Sequence, residues 1–318
     1  MKTFKMLFLA LTLVSMLLVG TSYGAFPKKP IKLIVYTKPG GAIDVFARKF
    51  QKIAKKYTDT TFVVVNKTGA GGVVAMKHVL SKRADGYMLA AVTRSNIGKM
   101  VSSKSNLKVD QFNWMAMMVS DPEAVITNRN QAINTWAQIV ADAKAKGGNQ
   151  LWVGPAAGGN DHIMALKTWQ KAGIKAKWIP YGSGGKAMAA LMGGHGVAYV
   201  GNPGDVIGKP DLKVAAISSK NRLTGKFANV PTFTELGIKN HDSEIMWRGF
   251  MTKKGIPAEA QTFYDKLFAK MNSDSDWQGY IQNLGANPIF YKQAKFTSIV
   301  KNDREVFTNT LKEIGAIK

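Results

Sequence analysis

One unit recurs along this chain: a short apolar or β-branched run, a glycine-rich loop, then an amphipathic stretch. Pro30 to Tyr36 reads as a strand. Pro39-Gly40-Gly41 breaks it, and Asp44 to Lys56 then carries Val45, Phe46, Phe50 and Ile53 at helical spacing. Phe62-Val63-Val64-Val65 is a second strand, its β-branched run suited to burial on both faces. Gly69-Ala70-Gly71-Gly72 ends it, and a helix follows from Val73 to Leu80. A turn at Asp85-Gly86 leads into a third strand, Met88 to Val92. Strands separated by crossover helices predict an α/β fold that opens with a parallel sheet.

The middle of the chain alternates in the same way. Strands are expected at Ala124–Thr127, Leu151–Gly154, Trp178–Tyr181, Val197–Val200 and Val214–Ile217. Helices are expected at Thr135–Lys146, Asp161–Ala172 and Gly185–Met192. From Pro257 onward the pattern is helical, over Ala258–Met271 and Ala294–Ile314, with a short strand near Ile289–Tyr291. A tail of this size cannot bury its own apolar face, so it is expected to pack back onto the first sheet. The expected organisation is a first lobe of residues 26–124 plus 245–318, with a second lobe, 125–244, inserted in it.

Composition narrows the function. With 46% hydrophobic and 20% charged residues the chain is globular rather than disordered. The absence of cysteine removes disulfides, thiolate metal sites, thiol nucleophiles and lipidated cysteine anchors together. Lys2 and Lys5 precede an apolar run from Met6 to Val19, too short for a bilayer of about 30 Å. Small residues follow, so residues 1–25 read as a signal peptide cleaved near Gly24 or Ala25, which places the mature protein in a periplasm. The formal net charge is +24. It is mostly lysine and it is scattered, whereas nucleic-acid binders cluster arginine and interleave it with aromatics. The basic surface is expected to raise the local concentration of anionic ligands, with no nucleic-acid partner.

Three loops share one design: Pro39 to Asp44, Gly69 to Gly72, and Ala157-Gly158-Gly159-Asn160-Asp161-His162. Glycine lets backbone approach a ligand closely, and the helix that follows points free N–H groups at the same place. The first two loops leave the carboxyl ends of adjacent strands, where open α/β sheets bind ligands. Convergent backbone donors suit a carboxylate or a phosphate. Neither G-x-G-x-x-G nor G-x-x-x-x-G-K-[ST] is present, which disfavours a nucleotide. His78, His162, His195 and His241 have no metal-ligand spacing, and Tyr181-Gly182-Ser183-Gly184-Gly185 fits a nucleophile turn only loosely. No cofactor and no metal are expected.

These segments, in this order, resemble the substrate-binding proteins of tripartite tricarboxylate transporters, the Bug family. Pro39-Gly40-Gly41-x-x-Asp44 looks like that family's first ligand loop, and Asn66-Lys67-Thr68-Gly69-Ala70-Gly71-Gly72 like its second. Ala84-Asp85-Gly86-Tyr87 looks like the turn before its third strand, Leu191-Met192-Gly193-Gly194-His195-Gly196 like its second-domain segment, and Val230 to Gly237 like the return to the first domain. The resemblance implies a two-lobed periplasmic binding protein of type II, each lobe a sheet flanked by helices. It implies a cleft for an organic carboxylate, no catalysis, and a monomer that delivers its ligand to large and small membrane permease subunits. Two rivals are a sensor that presents ligand to a membrane receptor and, more remotely, a secreted hydrolase.

Carried onto this sequence, the ligand site is Gly40, Gly41, Ala42 and Asp44; Gly69, Ala70, Gly71 and Gly72; Thr93, Ser95 and Asn96; Gly158, Gly159, Asn160, Asp161 and His162; and Tyr181 and Asn202. Asp44 is read as capping its loop and positioning water. Two positions depart from the family pattern. Lys38 stands where a small residue is usual, either touching a distal carboxylate or solvated on its loop. Asp161 stands beside the third loop where Ser or Thr is usual. A carboxylate there repels a second ligand carboxylate by about 4 kcal/mol at 4 Å and an effective dielectric near 20, so it is read as meeting an amine or hydroxyl, or as a helix-capping acid. The identity of the carboxylate is not readable.

Overall fold

The computed structural model describes residues 26–318, so the signal peptide expected over residues 1–25 lies outside the described residues. Strands and helices alternate around two separate sheets. The first contains β1 (Ile31–Val35), β2 (Phe62–Asn66), β3 (Met88–Thr93), β4 (Phe112–Pro122), β10 (Ile245–Lys253) and β11 (Asn287–Lys292), in the order β11-β4-β10-β3-β1-β2. The second contains β5 (Ala124–Asn128), β6 (Leu151–Pro155), β7 (Lys177–Tyr181), β8 (Ala198–Gly201) and β9 (Leu212–Ile217), in the order β7-β6-β8-β5-β9.

Neither sheet is wholly parallel. In the first, β1 pairs parallel with β2 and β3, but β10 runs antiparallel to both β3 and β4, and β11 antiparallel to β4. The parallel arrangement expected from the opening units therefore covers only half of that sheet. The reason lies in β4 and β10, two long strands that carry the chain out of the first sheet and back. Neither alternates: Phe112 to Val119 is an almost unbroken apolar run rich in Met, without turn residues to mark it as a strand. A two-way passage between sheets needs antiparallel strands.

Helices cover both faces of the first sheet. On one face lie α1 (Ala42–Ala54), α7 (Ala258–Asn272) and α8 (Ser275–Asn283), around a cluster in which Phe46, Phe50, Phe250, Phe268 and Trp277 meet ring to ring. On the other lie α2 (Val73–Leu80), α3 (Arg94–Ser102) and α9 (Gln293–Glu313), over Trp114, Trp247 and Phe296. These rings are fully buried, and each contributes about 1.5–3 kcal/mol by leaving water. The helical tail thus completes both faces of a sheet that the N-terminal segments begin. Helices α4 (Trp136–Ala145), α5 (Asn160–Ala172) and α6 (Gly184–Met192) flank the second sheet in the same manner. Helix α3 directly after β3, and helix α8, are elements the apolar pattern did not reveal.

The chain crosses between sheets at Pro122–Ala124 and again at Glu244–Ile245. The crossings lie side by side: the Glu123 N–H donates to the Glu244 carbonyl at 3.1 Å, and Ser218 N–H donates to the Glu123 carbonyl at 2.8 Å. Among the described residues no helix is long and apolar enough to cross a membrane.

Candidate functional site

The helices that follow the three glycine loops start from glycine N-caps, as none of the other described α-helices does; α7 and α9 also lack a side-chain cap, behind Pro257 and Lys292. Thr135, Ser183 and Asp274 each accept a backbone N–H at the start of α4, α6 and α8. Helices α1, α2 and α5 begin at Gly41, Gly72 and Gly159 with no side-chain cap, leaving first-turn N–H groups for another acceptor. Gly72 shows why the residue must be glycine. Its φ is +103°, and a Cβ there would lie 2.2 Å from the Asn96 amide nitrogen.

Several residues expected at the ligand site hold the loops in shape. Asp44 is almost fully buried; its two oxygens accept from Gly40 N–H at 3.0 Å, Arg48 at 2.8 Å and Asn66 at 2.8 Å. Burial works to raise its pKa, but these donors outweigh it and hold the carboxyl below its usual value. Asn96 bridges two segments, accepting from Thr93 N–H at 2.9 Å and donating to the Gly71 carbonyl at 3.1 Å. The Asn202 amide donates to the Pro122 carbonyl at 3.0 Å, on the passage between the sheets. His162 accepts from Gly158 N–H at 3.1 Å and lies against the Trp178 ring at 5.2 Å; burial pushes its pKa down to about 4. Lys38 is exposed, and Tyr181 is half-buried on an edge strand against the second sheet's core.

The third loop meets α3 of the first lobe directly. Asn160 N–H donates to Ser95 Oγ at 3.4 Å, and the Gly158 carbonyl oxygen lies 2.7 Å from where a Gly98 Cβ would stand. Lys99, which sequence reasoning missed, ties two loops together. Its stem packs against Gly71 and its ammonium donates to the Ala157 carbonyl, while desolvation lowers its pKa.

Between the lobes the structure also gathers a polar cluster of which sequence reasoning had named only Thr93, Asn160 and Asp161. The first lobe supplies Tyr36, Thr93, Asp121 and Arg248; the second supplies Asn160, Asp161, Tyr199 and Asp205; Glu123 sits on the crossing. Tyr36 Oη and Thr93 Oγ1 are 2.7 Å apart, and burial pushes the Tyr36 phenol up to about 12. Arg248 donates to Asp121, and Asn160 donates to Glu123. Asp205 accepts from Tyr199 Oη and from Asn202 N–H, each at 3.1 Å. Asp161, in the first turn of α5, is 6% exposed. Burial first, and Asp205 next, push its pKa up to about 8. Burial pushes Asp121 up to about 6, and burial followed by Asp161 and Asp121 raises Glu123 as well.

The missed residues did leave a signal. Asp121 and Glu123 interrupt an apolar run from Phe112 to Thr127, and Arg248 interrupts Ile245 to Met251. A charge inside such a run belongs either at a functional cleft or in a buried pair. A second buried network, Arg94 with Asp303 at 2.8 Å and with Glu244 at 3.3 Å, and Lys167 with Glu244 at 2.6 Å, links the lobes beside the crossing.

The sequence profile of the tripartite tricarboxylate transporter family receptor matches residues 46–315. Protein BugT of Bordetella pertussis is 26% identical over 302 residues, which is 93% of this chain and 92% of that protein. Among solved structures, a TctC solute binding protein from Polaromonas, without ligand, is 26% identical with a TM-score of 0.69, covering 91% of this chain and 99% of that one. The R. palustris protein Rpa4515 with adipate superimposes with a TM-score of 0.83 at 18% identity, covering 91% and 98%, a likeness of fold.

Proposed function

Since this chain belongs to the tripartite tricarboxylate transporter receptor family, whose members are solute-binding proteins, we propose that it captures a small organic carboxylate between its lobes and passes it to the membrane subunits of such a transporter. The lobes are residues 26–124 plus 245–318, and 125–244. The observation that carries the reading is the set of three helix starts with glycine N-caps and no side-chain cap, two on one lobe and one on the other. Backbone donors at helix N-termini favour an anion without demanding a particular side chain on it. The adipate held by a protein of the same fold is a ligand of this chemical kind.

In this reading Gly40, Gly41, Ala42 and Gly69–Gly72 grip one carboxylate, Thr93 and Ser95 add hydroxyls, and the Gly158–Asn160 loop closes over it from the second lobe. Asp44, Asn96, His162 and Asn202 act behind the ligand, holding the loops. The mature protein works in the periplasm as a monomer. The test is thermal unfolding of refolded protein against a panel of mono-, di- and tricarboxylates, refolding having removed any co-purified ligand. A ligand at about 100 times its Kd stabilises by about 2.7 kcal/mol. A flat response to every acid would overturn the reading. Uptake of the bound acid in cells with and without the membrane subunits tests delivery.

A further inference from the structure

The polar cluster between the lobes carries more acid than a carboxylate site needs. Asp121, Glu123, Asp161 and Asp205 surround Arg248, and the cations nearby are already engaged. Arg94 is held by Asp303 and Glu244, Lys167 by Glu244, and Lys99 by the Ala157 carbonyl. Arg248 offsets Asp121, and Asp205 has two donors. Asp161 Oδ1, Glu123 Oε2 and Asp121 Oδ1 are nonetheless fully shielded from solvent with no hydrogen-bond partner, on residues 6%, 0% and 1% exposed. Arg248 Nε is also buried without a partner, on a residue 8% exposed.

Three orphaned carboxyl oxygens and one orphaned guanidinium donor thus belong to one buried polar cluster between the sheets. Buried polar atoms are almost always partnered, so this set is a template for what completes it. It needs a donor bearing positive charge on one side and an acceptor bearing negative charge on the other. Burial favours the neutral form of the Asp161 and Glu123 carboxyls while no ligand is bound; a ligand ammonium brings the positive charge that lets them ionise, which a second carboxylate cannot do. A metal ion is a poorer fit than an organic cation: among the described residues no group of three or more His, Asp or Glu is placed to hold one.

Building on the carboxylate reading, we propose that the natural ligand is a carboxylate that also carries a protonated amine, with the ammonium seated against Asp161 and Glu123 and the carboxylate toward the glycine loops and Arg248. An ammonium has three donors and no acceptor, enough for the Asp161 and Glu123 oxygens with one donor left for Asp121 Oδ1, Tyr36 Oη or Thr93 Oγ1. Asp161, rather than the loops, then sets which acids are admitted, and it does so by excluding those without the amine.

The test is calorimetric titration of the refolded mature protein with matched probes: succinate, malate and aspartate; butyrate and γ-aminobutyrate; benzoate and aminomethylbenzoate. The expected result is that in at least one set the amino acid binds at least about tenfold tighter than its amine-free partner. Asp161→Asn and Glu123→Gln are expected to shrink that ratio to about threefold or less while amine-free binding holds or improves. Amine-free acids binding as tightly as their amino counterparts overturn this proposal and leave the carboxylate reading standing. Malate equal to aspartate overturns it too, since a hydroxyl then suffices. A preference that survives both substitutions removes the ammonium from this cluster. Silence across every probe overturns both readings together.

Discussion

Replacing Asp161 by Asn isolates the cost of the buried cluster. The Asp161 carboxyl has its pKa pushed up to about 8 from an ordinary 3.8, first by burial and then by Asp205. A carboxyl whose folded pKa is raised holds a proton that the unfolded chain gives up. Its stability contribution is complete below about pH 4 and is lost progressively as the pH rises to about 8. At pH 7 the folded group still holds the proton, about three pKa units above the unfolded midpoint, a penalty of about 4 kcal/mol at 1.36 kcal/mol per unit. Asparagine has the same shape and does not titrate, and its amide can donate to Asp205, Asp121 or Glu123. Those carboxyls and Arg248 remain in both proteins, and because Asp161 is one cause of the raised Glu123 pKa, its replacement also eases Glu123 ionisation and adds to the gain.

The ligand-free lobes can also part and rehydrate Asp161, which caps the gain at the cost of parting. We therefore expect Asp161→Asn to be more stable by about 1–4 kcal/mol at pH 7, with the gain fading to nothing near pH 4. Urea unfolding of both proteins between those pH values measures it. A variant equal to or less stable than the parent at pH 7, or a difference that does not change with pH, would refute the reasoning.

Two further substitutions probe the contact between lobes. Gly98→Ala places a methyl 2.7 Å from the Gly158 carbonyl oxygen and 2.8 Å from the Phe307 ring, so the third loop is held off α3. Affinity for any bound acid should fall at least about tenfold by calorimetry, and unchanged affinity would show that closure does not pass through this contact. Arg94→Ala leaves Asp303 and Glu244 buried without their shared cation. A loss of about 3–5 kcal/mol in urea unfolding is expected, and a loss below about 1 kcal/mol would mean the pair is solvated in solution.

The repeated strand–loop–helix units were legible because glycine and β-branched residues punctuate them so clearly. The same signal located β1 to β3, the inserted second sheet and the packing of the tail on the first sheet. It failed at β4 and β10, where Phe112–Val119 and Ile245–Met251 show neither alternation nor punctuation, and so the antiparallel half of the first sheet went unread. Within the site, sequence picked out the loops and several side chains, but not the internal hydrogen bonds those side chains make. Asn96 and Asn202 look like ligand donors because amides are versatile; only the fold shows that each also donates to a backbone carbonyl, of Gly71 and of Pro122. Asp161 stood out as an acid beside an anion loop, yet its partners Asp121, Tyr199, Asp205 and Arg248 come from both lobes, widely separated in the chain. No local pattern brings them together.

The account rests on a carboxylate held by backbone donors. Calorimetry with the tightest acid from the panel and with its methyl ester, which keeps the shape and removes the charge, tests that most directly. The glycine loops predict that the ester binds at least about 100-fold more weakly, a difference of about 2.7 kcal/mol. An ester bound within about threefold of the acid would mean that the loops recognise shape rather than charge, and would contradict the central claim.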